Sequence, residues 1–548
     1  MFYKYNEIPT ASAVVDDDYA YHSKSPTNNN KKEGDPIVSV VRGEVQPPAY
    51  RDGFFGLLFW VQLGIVVVLS ILYATGYIEV DWEEFRSGST RRRLLASSED
   101  TNRILGDSDG SEDSLMPFCI AVLSSLILAP SLTVGLFSYM YQNATQLIQT
   151  SIYVAIIMNI ILTVILLISG SILPAILTAL GAFFTWCYAR YVWHRIPLAA
   201  ANLKTAIASI RSQVGVAFLG LASIPFYIVW WATWIYFFVC SLNTKFMKGQ
   251  VEYTRIVEHN RGFDGGTDDY VNVDMKCSSL WYLLLFLMLV SFYWTNQVIG
   301  NIVQTTVAGS VGTFWFAPEE AVGCCSPALG ASLFRSVTYS FGSICLGSLI
   351  VAIIQALRAL LRQAEQQARN NQENCGAILL CLIECLLGMV ESAAEYFNQW
   401  AFIYIGLYGY SYMEAGHNVI TLFRERGWTS IITDNLTGRV LGMMSFAIGL
   451  GTGLLAALVA LVSAMFVSSG STVGAMAGGS LVMGLFLGLI LASIIFSVVN
   501  SAAETIIVLF AEAPAEFQQN HPVLSAEMNQ AWASAYDWFN PATPTMVV

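Results

Sequence analysis

Apolar blocks longer than about 18 residues recur along this chain, and they restrict its fold more than any other feature, because a run of that length with few charges is a candidate spanning helix. The 548 residues are 55% apolar and 12% charged, about half the charge of a soluble domain. The clearest spans are predicted at 54–78, 116–140, 151–173, 175–192, 214–240, 335–362, 441–467 and 473–509. The sequence therefore predicts an all-α protein, a polytopic membrane bundle of about ten transmembrane helices.

Polar segments flank this apolar region. Residues 1–52 mix Asp, Ser, Asn and Pro without apolar periodicity, a composition typical of disorder. They predict a disordered cytosolic N-terminal tail, followed by a transmembrane domain over 53–511. Residues 512–548 predict an acidic cytosolic C-terminal tail.

The stretch from Trp281 to Trp315 is unusual for a spanning segment, because two Asn, two Gln and two Thr lie near its middle. Each such side chain costs free energy in hydrocarbon unless it meets a partner or a water-filled cavity. Gly300 offers a point at which a helix can break, and broken helices form the midplane sites of many transporters. We therefore expect a discontinuous central segment. A tightly packed helix with small residues against its neighbours is the alternative.

Basic residues set the predicted topology. Arg195, Lys204 and Arg211 occur in a segment without acids, which indicates the cytosol. Three more arginines lie at the exit of the span 335–362 and suggest the same side: Arg358, Arg362 and Arg369. If both groups are cytosolic, the central stretch has to enter the membrane and return, which again predicts a break near Gly300. About ten crossings then leave both termini in the cytosol.

Residues 376–423 allow two interpretations. Glu384, Glu391 and Glu395 recur at offsets of seven and eleven and so share one helical face. A surface-lying amphipathic helix would keep that face wet, whereas a spanning helix would make the acids functional candidates. Glu504, late in the last predicted span, is a candidate for the same reason.

Several function classes are disfavoured. No glycine-rich phosphate loop followed by Lys-Ser/Thr occurs, so we expect no nucleotide partner, and no dense basic patch predicts nucleic-acid binding. The ten cysteines and five histidines lack metal-ligand spacing and give no convincing catalytic set. We expect no cofactor and no enzyme activity, and the sequence does not set the oligomeric state.

Four stretches, in matching order, resemble the choline transporter-like family. They are WTNQVIGNIVQTTVAGSVGTFWF at 294–316, FRSVTYSFGSICLGSLIVAIIQALR at 334–358, NQWAFIYIGLYGYSYMEAG at 398–416 and SAAETIIVLFAEAP at 501–514. The short first tail and first loop look more like the plant, fungal and protist branch of that family. The resemblance implies a fold of about ten helices that moves choline or a related small organic cation across the plasma membrane or an organelle membrane, by facilitated diffusion or exchange.

A quaternary ammonium has no N–H group, so aromatic faces and a carboxylate suit it best. The candidate substrate-binding residues are Tyr293, Trp294, Asn296, Asn301, Thr305, Trp315, Glu391 and Glu504. Two other functions remain open from the residues alone. One is a channel-like pore lined by the amides and threonines of the central stretch. The other is a membrane-trafficking scaffold that transports nothing.

Overall fold

The computed structural model describes residues 45–80, 111–261, 267–370, 374–425, 436–467 and 473–535. The first half contains α1 (Gly53–Ala74), α2 (Ser111–Gln142), α3 (Ala144–Ile168), α4 (Ile172–Val192), α5 (Ile196–Ser212), α6 (Val214–Leu242), α7 (Lys245–Lys248), β1 (Val251–Arg261) and β2 (Thr267–Cys277). The second half contains α8 (Ser279–Phe316), α9 (Pro327–Val337), α10 (Phe341–Asn370), α11 (Asn374–Tyr408), α12 (Tyr412–Glu425), α13 (Leu436–Val467), α14 (Val473–Glu512), α15 (Pro514–Asn520) and α16 (Pro522–Ala535).

Nine helical stretches in the described part of the chain are long and apolar enough to cross a membrane. Helix α11 is a tenth long helix of 35 residues, and it carries three glutamates. The predicted all-α polytopic bundle is confirmed. The polar loop after α6 adds a hairpin that the sequence did not predict, in which β1 and β2 pair antiparallel from Val251–Cys277 to Arg261–Thr267.

The expected break in the central segment is wrong. Helix α8 runs without interruption through 38 residues, about 57 Å at 1.5 Å per residue. The Thr305 hydroxyl donates to the Asn301 carbonyl of its own helix, so this polar group needs no break. Gly300 makes room for a neighbour instead, because a Cβ there would lie 3.2 Å from the Tyr227 hydroxyl.

Backbone hydrogen bonds bring several helix ends together on what we call the first face of the bundle. The Gln46 N–H donates to the Tyr408 carbonyl at 2.8 Å, and the Gly323 N–H donates to the Ser212 carbonyl at 2.8 Å. The start of α1 and the ends of α5, α8 and α11 therefore share this face. Val80 and Thr244, beyond the far ends of α1 and α6, form an isolated β-bridge on the opposite face. Helix α8 thus crosses the bundle once.

The placement of the later arginines with Arg195, Lys204 and Arg211 is also wrong. Helix α10 starts at the first face, so its basic end reaches the opposite one. There Arg358 binds Glu391 and Arg362 binds Glu384 at 2.5 Å, both on α11. Each of these arginines thus has a carboxylate partner on α11.

Helix α11 packs lengthwise against α10 and returns to the first face. The surface-lying interpretation of 376–423 is therefore wrong for Asn374–Tyr408. Ten long helices place the two ends of the described bundle on the same face.

The segment after α14 extends the bundle instead of leaving it at 511. Phe517 of α15 stacks on Trp315, with ring centroids 4.0 Å apart. Glu527 of α16 binds Lys204 of α5 at 2.6 Å. Residues 514–535 are thus a packed pair of helices and not a free tail.

Candidate functional site

Glu504 is a buried carboxylate in the middle of the bundle. Its side chain is 7% exposed, and it accepts a hydrogen bond from the Asn500 amide one turn earlier in α14. No Lys, Arg or His in the described residues pairs with it. A buried ionisable group in a spanning helix is costly unless it is paired, and such groups mark ion or substrate pathways.

The depth of Glu504 follows from the register of two helices. The Trp315 indole N–H donates to the Ala513 carbonyl at 2.9 Å, and α8 and α14 both end at the first face. Nine residues before these positions, Glu504 lies level with Thr306, about 13 Å from that end. Glu504 therefore lies inside the apolar stretch Ala477–Glu512, which is long enough to cross a membrane.

A polar strip on α14 leads to Glu504. Ser493 and Ser497 are exposed, Asn500 and Ser501 are half-buried, and Glu504 is buried. Spacings of three and four residues put them on one helical face. The side-chain oxygen of Asn500 is buried and has no hydrogen-bond partner among the described residues. Burial therefore increases along the strip, from the exposed serines to the carboxyl group of Glu504 and the unpaired amide oxygen of Asn500.

A second polar strip lies on α8. Tyr293, Gln297, Gly300 and Gln304 recur at helical spacing and are all half-buried, although α8 is contacted by α1, α6, α10, α11 and α14. The Gln297 amide donates to the Gln355 side chain at 3.4 Å. The Gln304 amide donates to the Gln399 carbonyl at 3.2 Å. Partial exposure of such side chains inside a ring of helices indicates a crevice beside α8.

Helix α6 adds aromatic side chains beside this strip. The Tyr227 hydroxyl lies against Gly300 and donates to the Asn296 carbonyl at 3.4 Å. The Trp231 indole N–H donates to the Asn296 side chain at 2.7 Å, and half of the Trp231 surface is exposed. Asn296 therefore joins α8 to α6.

The two predicted tryptophans of α8 belong to the core. The Trp294 indole donates to the Cys345 carbonyl at 2.9 Å and its ring meets Phe59 edge-on at 5.4 Å. Trp315 is fully buried between Ala513 and Phe517. Each is thus engaged by both its N–H group and its ring.

The other predicted residues divide between the crevice and the packing around it. The Asn301 amide donates to the Ser348 hydroxyl of α10 at 2.9 Å, beside the α8 strip, and Thr305 is buried one turn later. Glu391 is held by Arg358. Tyr293 and Asn301 therefore lie on the half-buried side of α8, Glu504 is buried on α14, and Glu391 is the acid that already has a cation.

Sequence reasoning missed Tyr227, Gln304 and Asn500. The signal that could have found two of them was periodic. Polar residues recur every three or four positions along α8 and α14, and such a period places Gln304 and Asn500 on the polar faces of these helices. Tyr227 carries no such signal, because only the packing of α6 on Gly300 places it at the crevice.

The cavities between helices α5 and α16 lie elsewhere. One of about 50 Å³ is lined by Asn202, Thr437 and Trp532 among others. An open one of about 310 Å³ surrounds the Lys204–Glu527 pair. Neither touches Glu504. No group of three His, Cys, Asp or Glu in the described residues has the geometry to hold a metal ion.

Comparison with known proteins decides the family. A family model described as plasma-membrane choline transporter matches residues 172–515, which is more than half of the chain. The chain belongs to the plasma-membrane choline transporter family. The match runs from the first residue of α4 to the start of α15, so the family region includes both polar strips and Glu504. It confirms the resemblance seen in the four sequence stretches.

The names of similar proteins agree with this family assignment. A CTL-like protein of Dictyostelium discoideum is 29% identical over 422 residues, covering 76% of this chain and 65% of the relative. Protein PNS1 of Mycosarcoma maydis is 28% identical over 411 residues, covering 74% and 69%. Protein PNS1 of Cryptococcus neoformans is 32% identical over 281 residues, covering 50% and 46%. The chain thus spans about two thirds of the length of the first two relatives and about half of the third.

Proposed function

We propose that this protein transports choline or a related small organic cation across the plasma membrane, by facilitated diffusion or exchange. Family membership supports a membrane transporter. The observation that carries the substrate class is Glu504, a buried carboxyl group in the apolar stretch of α14 that accepts a hydrogen bond from the neutral amide of Asn500. A permanent organic cation supplies the missing countercharge.

The crevice beside α8 suits a cation without N–H groups. A quaternary ammonium cannot donate ordinary hydrogen bonds, so charge and aromatic faces have to hold it, each face contributing about 0.5–2 kcal/mol. Tyr227 and Tyr293 provide such faces next to the polar strip of α8. The unsatisfied oxygen of Asn500 is an acceptor for the hydroxyl group of choline. Asn301 is a second polar partner along the same strip.

We assign a supporting role to the remaining candidates. Trp294, Asn296, Thr305 and Trp315 hold α8 against its neighbours through the contacts described above, and Glu391 ties α11 to Arg358. Substitutions there would disturb the crevice through packing. Substitutions at Glu504 would remove the charge that binds the substrate.

The arrangement favours a state closed at the first face. Helices α15 and α16 cover the ends of α8 and α14, and the exposed end of the α14 strip points toward the opposite face. Close contacts between α13 and α14 offer a surface for movement. A Cβ on Gly453 would lie 2.7 Å from the Leu481 carbonyl, and one on Gly488 would lie 2.7 Å from Thr452. Sliding of closely packed helices is a known mode of domain movement.

Uptake of radiolabelled choline in choline-transport-deficient cells tests the proposal. Wild-type protein should give saturable uptake. Glu504→Gln should reduce it roughly tenfold or more, since 1.4 kcal/mol of lost binding is already a factor of ten. Glu414→Gln is the matched control, because Glu414 is exposed on α12 and should leave uptake unchanged. Surface biotinylation has to show equal amounts of all three proteins.

Three results would overturn the proposal. Normal choline uptake by Glu504→Gln would remove the carboxylate from the mechanism. Non-saturating uptake with single-channel currents would establish a pore. Absence of uptake of every small organic cation by wild-type protein at the cell surface would leave a trafficking role.

A further inference from the structure

The cavity between α5, α14 and α16 contains an unsatisfied polar group. Asn202 of α5 is 4% exposed and lines this cavity, and its side-chain oxygen has no hydrogen-bond partner among the described residues. An unpaired buried acceptor costs free energy. The cavity therefore calls for an occupant that donates a hydrogen bond.

Water alone does not suit the cavity. Its volume of about 50 Å³ corresponds to roughly three to five water-sized groups at about 10–15 Å³ each. Each buried water needs two to four polar partners, and only Arg195, Asn202 and Thr437 of the lining side chains carry strong polar groups. The other walls are apolar, with Phe510 and Met528 among them. An occupant with both polar and apolar parts fits better.

The position of the cavity indicates where such an occupant comes from. Helix α5 carries Arg195, Lys204 and Arg211 without an acid, which marks the cytosolic membrane boundary. Tyr191 and Trp193, at the entrance to α5, are exposed aromatic residues of the kind found at headgroup depth. The cavity thus opens at the level of the phospholipid headgroups of the cytosolic leaflet.

We propose that this cavity binds the headgroup of an aminophospholipid that retains an N–H group, phosphatidylethanolamine being the simplest. The ammonium donates to the side-chain oxygen of Asn202. The phosphate meets the guanidinium of Arg195, seven residues earlier and so on the same helical face, about 10 Å along the axis. At about 50 Å³ the cavity takes the ammonium and its two methylenes, and the glycerol and first acyl methylenes lie against the apolar wall at its mouth. Phosphatidylcholine has the same phosphate, but its trimethylammonium has no hydrogen to give Asn202.

The number of methyl groups on the headgroup nitrogen therefore decides whether a lipid can donate a hydrogen bond to Asn202. Full-length protein is purified in micelles containing equal amounts of dioleoylphosphatidylethanolamine and dioleoylphosphatidylcholine, and the retained lipids are measured by mass spectrometry. We expect phosphatidylethanolamine to be enriched roughly five- to hundredfold, the factor that corresponds to a hydrogen bond at a buried acceptor. The N-methyl and N,N-dimethyl lipids should still be enriched, and the preference should disappear at the third methyl group.

Two variants separate this site from general lipid binding. Asn202→Leu should lower the enrichment to about one while the protein remains monodisperse. Asn529→Leu is the matched control, because Asn529 lies on α16 and does not line the cavity, so its enrichment should equal that of the wild type. Free phosphoethanolamine should compete poorly, since it leaves the apolar wall empty.

Three outcomes would refute the proposal. They are equal retention of phosphatidylethanolamine and phosphatidylcholine by the wild type, undiminished enrichment in Asn202→Leu, and full competition by free phosphoethanolamine. The last would assign the cavity to a soluble ligand. None of these measurements depends on transport activity.

Discussion

The ring of Phe517 stacks on the indole of Trp315, with centroids 4.0 Å apart and planes within 8° of parallel. The contact joins residues separated by 202 positions, and both side chains are fully buried. Beside it, the Asn520 amide donates to the Trp315 carbonyl at 2.8 Å, and His521 stacks on Phe314 at 4.2 Å. The C-terminal helices thus cover the end of the central helix that carries the polar strip.

Replacing Phe517 with Ala should destabilise the protein by about 3–5 kcal/mol, as expected for a fully buried Phe. The thermal midpoint of purified protein in detergent measures the loss, and proteolysis after α14 should become faster. Val523→Ala is the control, because Val523 is 71% exposed. Equal midpoints for Phe517→Ala and wild type would mean that α15 does not support α8.

Gly406→Ala should disrupt the crossing of α8 and α11. A Cβ at position 406 would lie 2.5 Å from the Thr305 carbonyl and 2.8 Å from the Ala308 methyl group, so the helices have to separate. Gly451→Ala is the matched control, since a Cβ on Gly451 meets nothing within 4 Å and alanine favours a helix. Thermal midpoints and choline uptake should fall for the first variant only. If Gly406→Ala behaves like wild type, the two helices are not in close contact.

Little solvent reaches the ion pair between Arg358 and Glu391, so removing one partner should lower the free energy of unfolding more than it would at an exposed pair. Their side chains are 23% and 12% exposed, so Glu391→Gln should cost about 1–3 kcal/mol by leaving the guanidinium short of a partner. The double variant Arg358→Met with Glu391→Met should recover much of that loss, because no charge remains buried. The thermal midpoint measures both effects.

The pair Arg369 and Glu365, whose arginine is largely exposed, provides the comparison. Arg369 is 65% exposed, so Glu365→Gln should cost less than about 1 kcal/mol. If Glu365→Gln lowered the free energy of unfolding more than Glu391→Gln, the burial of the arginine would not determine the strength of these ion pairs.

Cysteine labelling should establish the sidedness of the bundle. Cys324 and Cys325 are exposed in the loop held to the end of α5 by the Gly323–Ser212 hydrogen bond. Because α5 carries the cytosolic basic signal, an impermeant maleimide should label these thiols only after the cells are permeabilised. The variant with both replaced by Ser should lose that labelling. Asn143, between α2 and α3, should carry no glycan, and labelling of Cys324 in intact cells would invert the topology.

Choline uptake should weaken as the external medium is acidified, because protonation of Glu504 removes the charge that holds the cation. In Glu504→Gln the remaining uptake should no longer depend on pH, whereas Glu414→Gln should behave like wild type. Initial rates across a pH series, with the membrane potential clamped by ionophores, measure the effect. A pH profile that is unchanged in Glu504→Gln would place the titrating group elsewhere.

The membrane bundle and its family were visible in the sequence, since they rest on local properties, and Glu504 was a candidate there for the same reason. The length of an apolar run shows directly whether it can span a membrane. The family motifs are contiguous in the sequence, and an acid within an apolar block is easy to recognise. Polarity near Gly300 was read correctly as unusual but wrongly as a break. Local composition cannot show that Thr305 satisfies itself within the helix, or that Asn301 and Gln304 find partners on α10 and α11.

Only the tertiary structure shows which charged residues form ion pairs and where the C-terminal segment packs. Arg358 and Glu391 are 33 positions apart, and only the packing of α10 on α11 turns an apparent cytosolic signal and an apparent substrate carboxylate into an ion pair. Glu504 has no such neighbour among the described residues, which is why we propose it as the acid for a cationic substrate. The C-terminal segment looked like a polar tail because its few large apolar residues are widely spaced. Their burial depends on the end of α8, a surface that exists only once the bundle has formed.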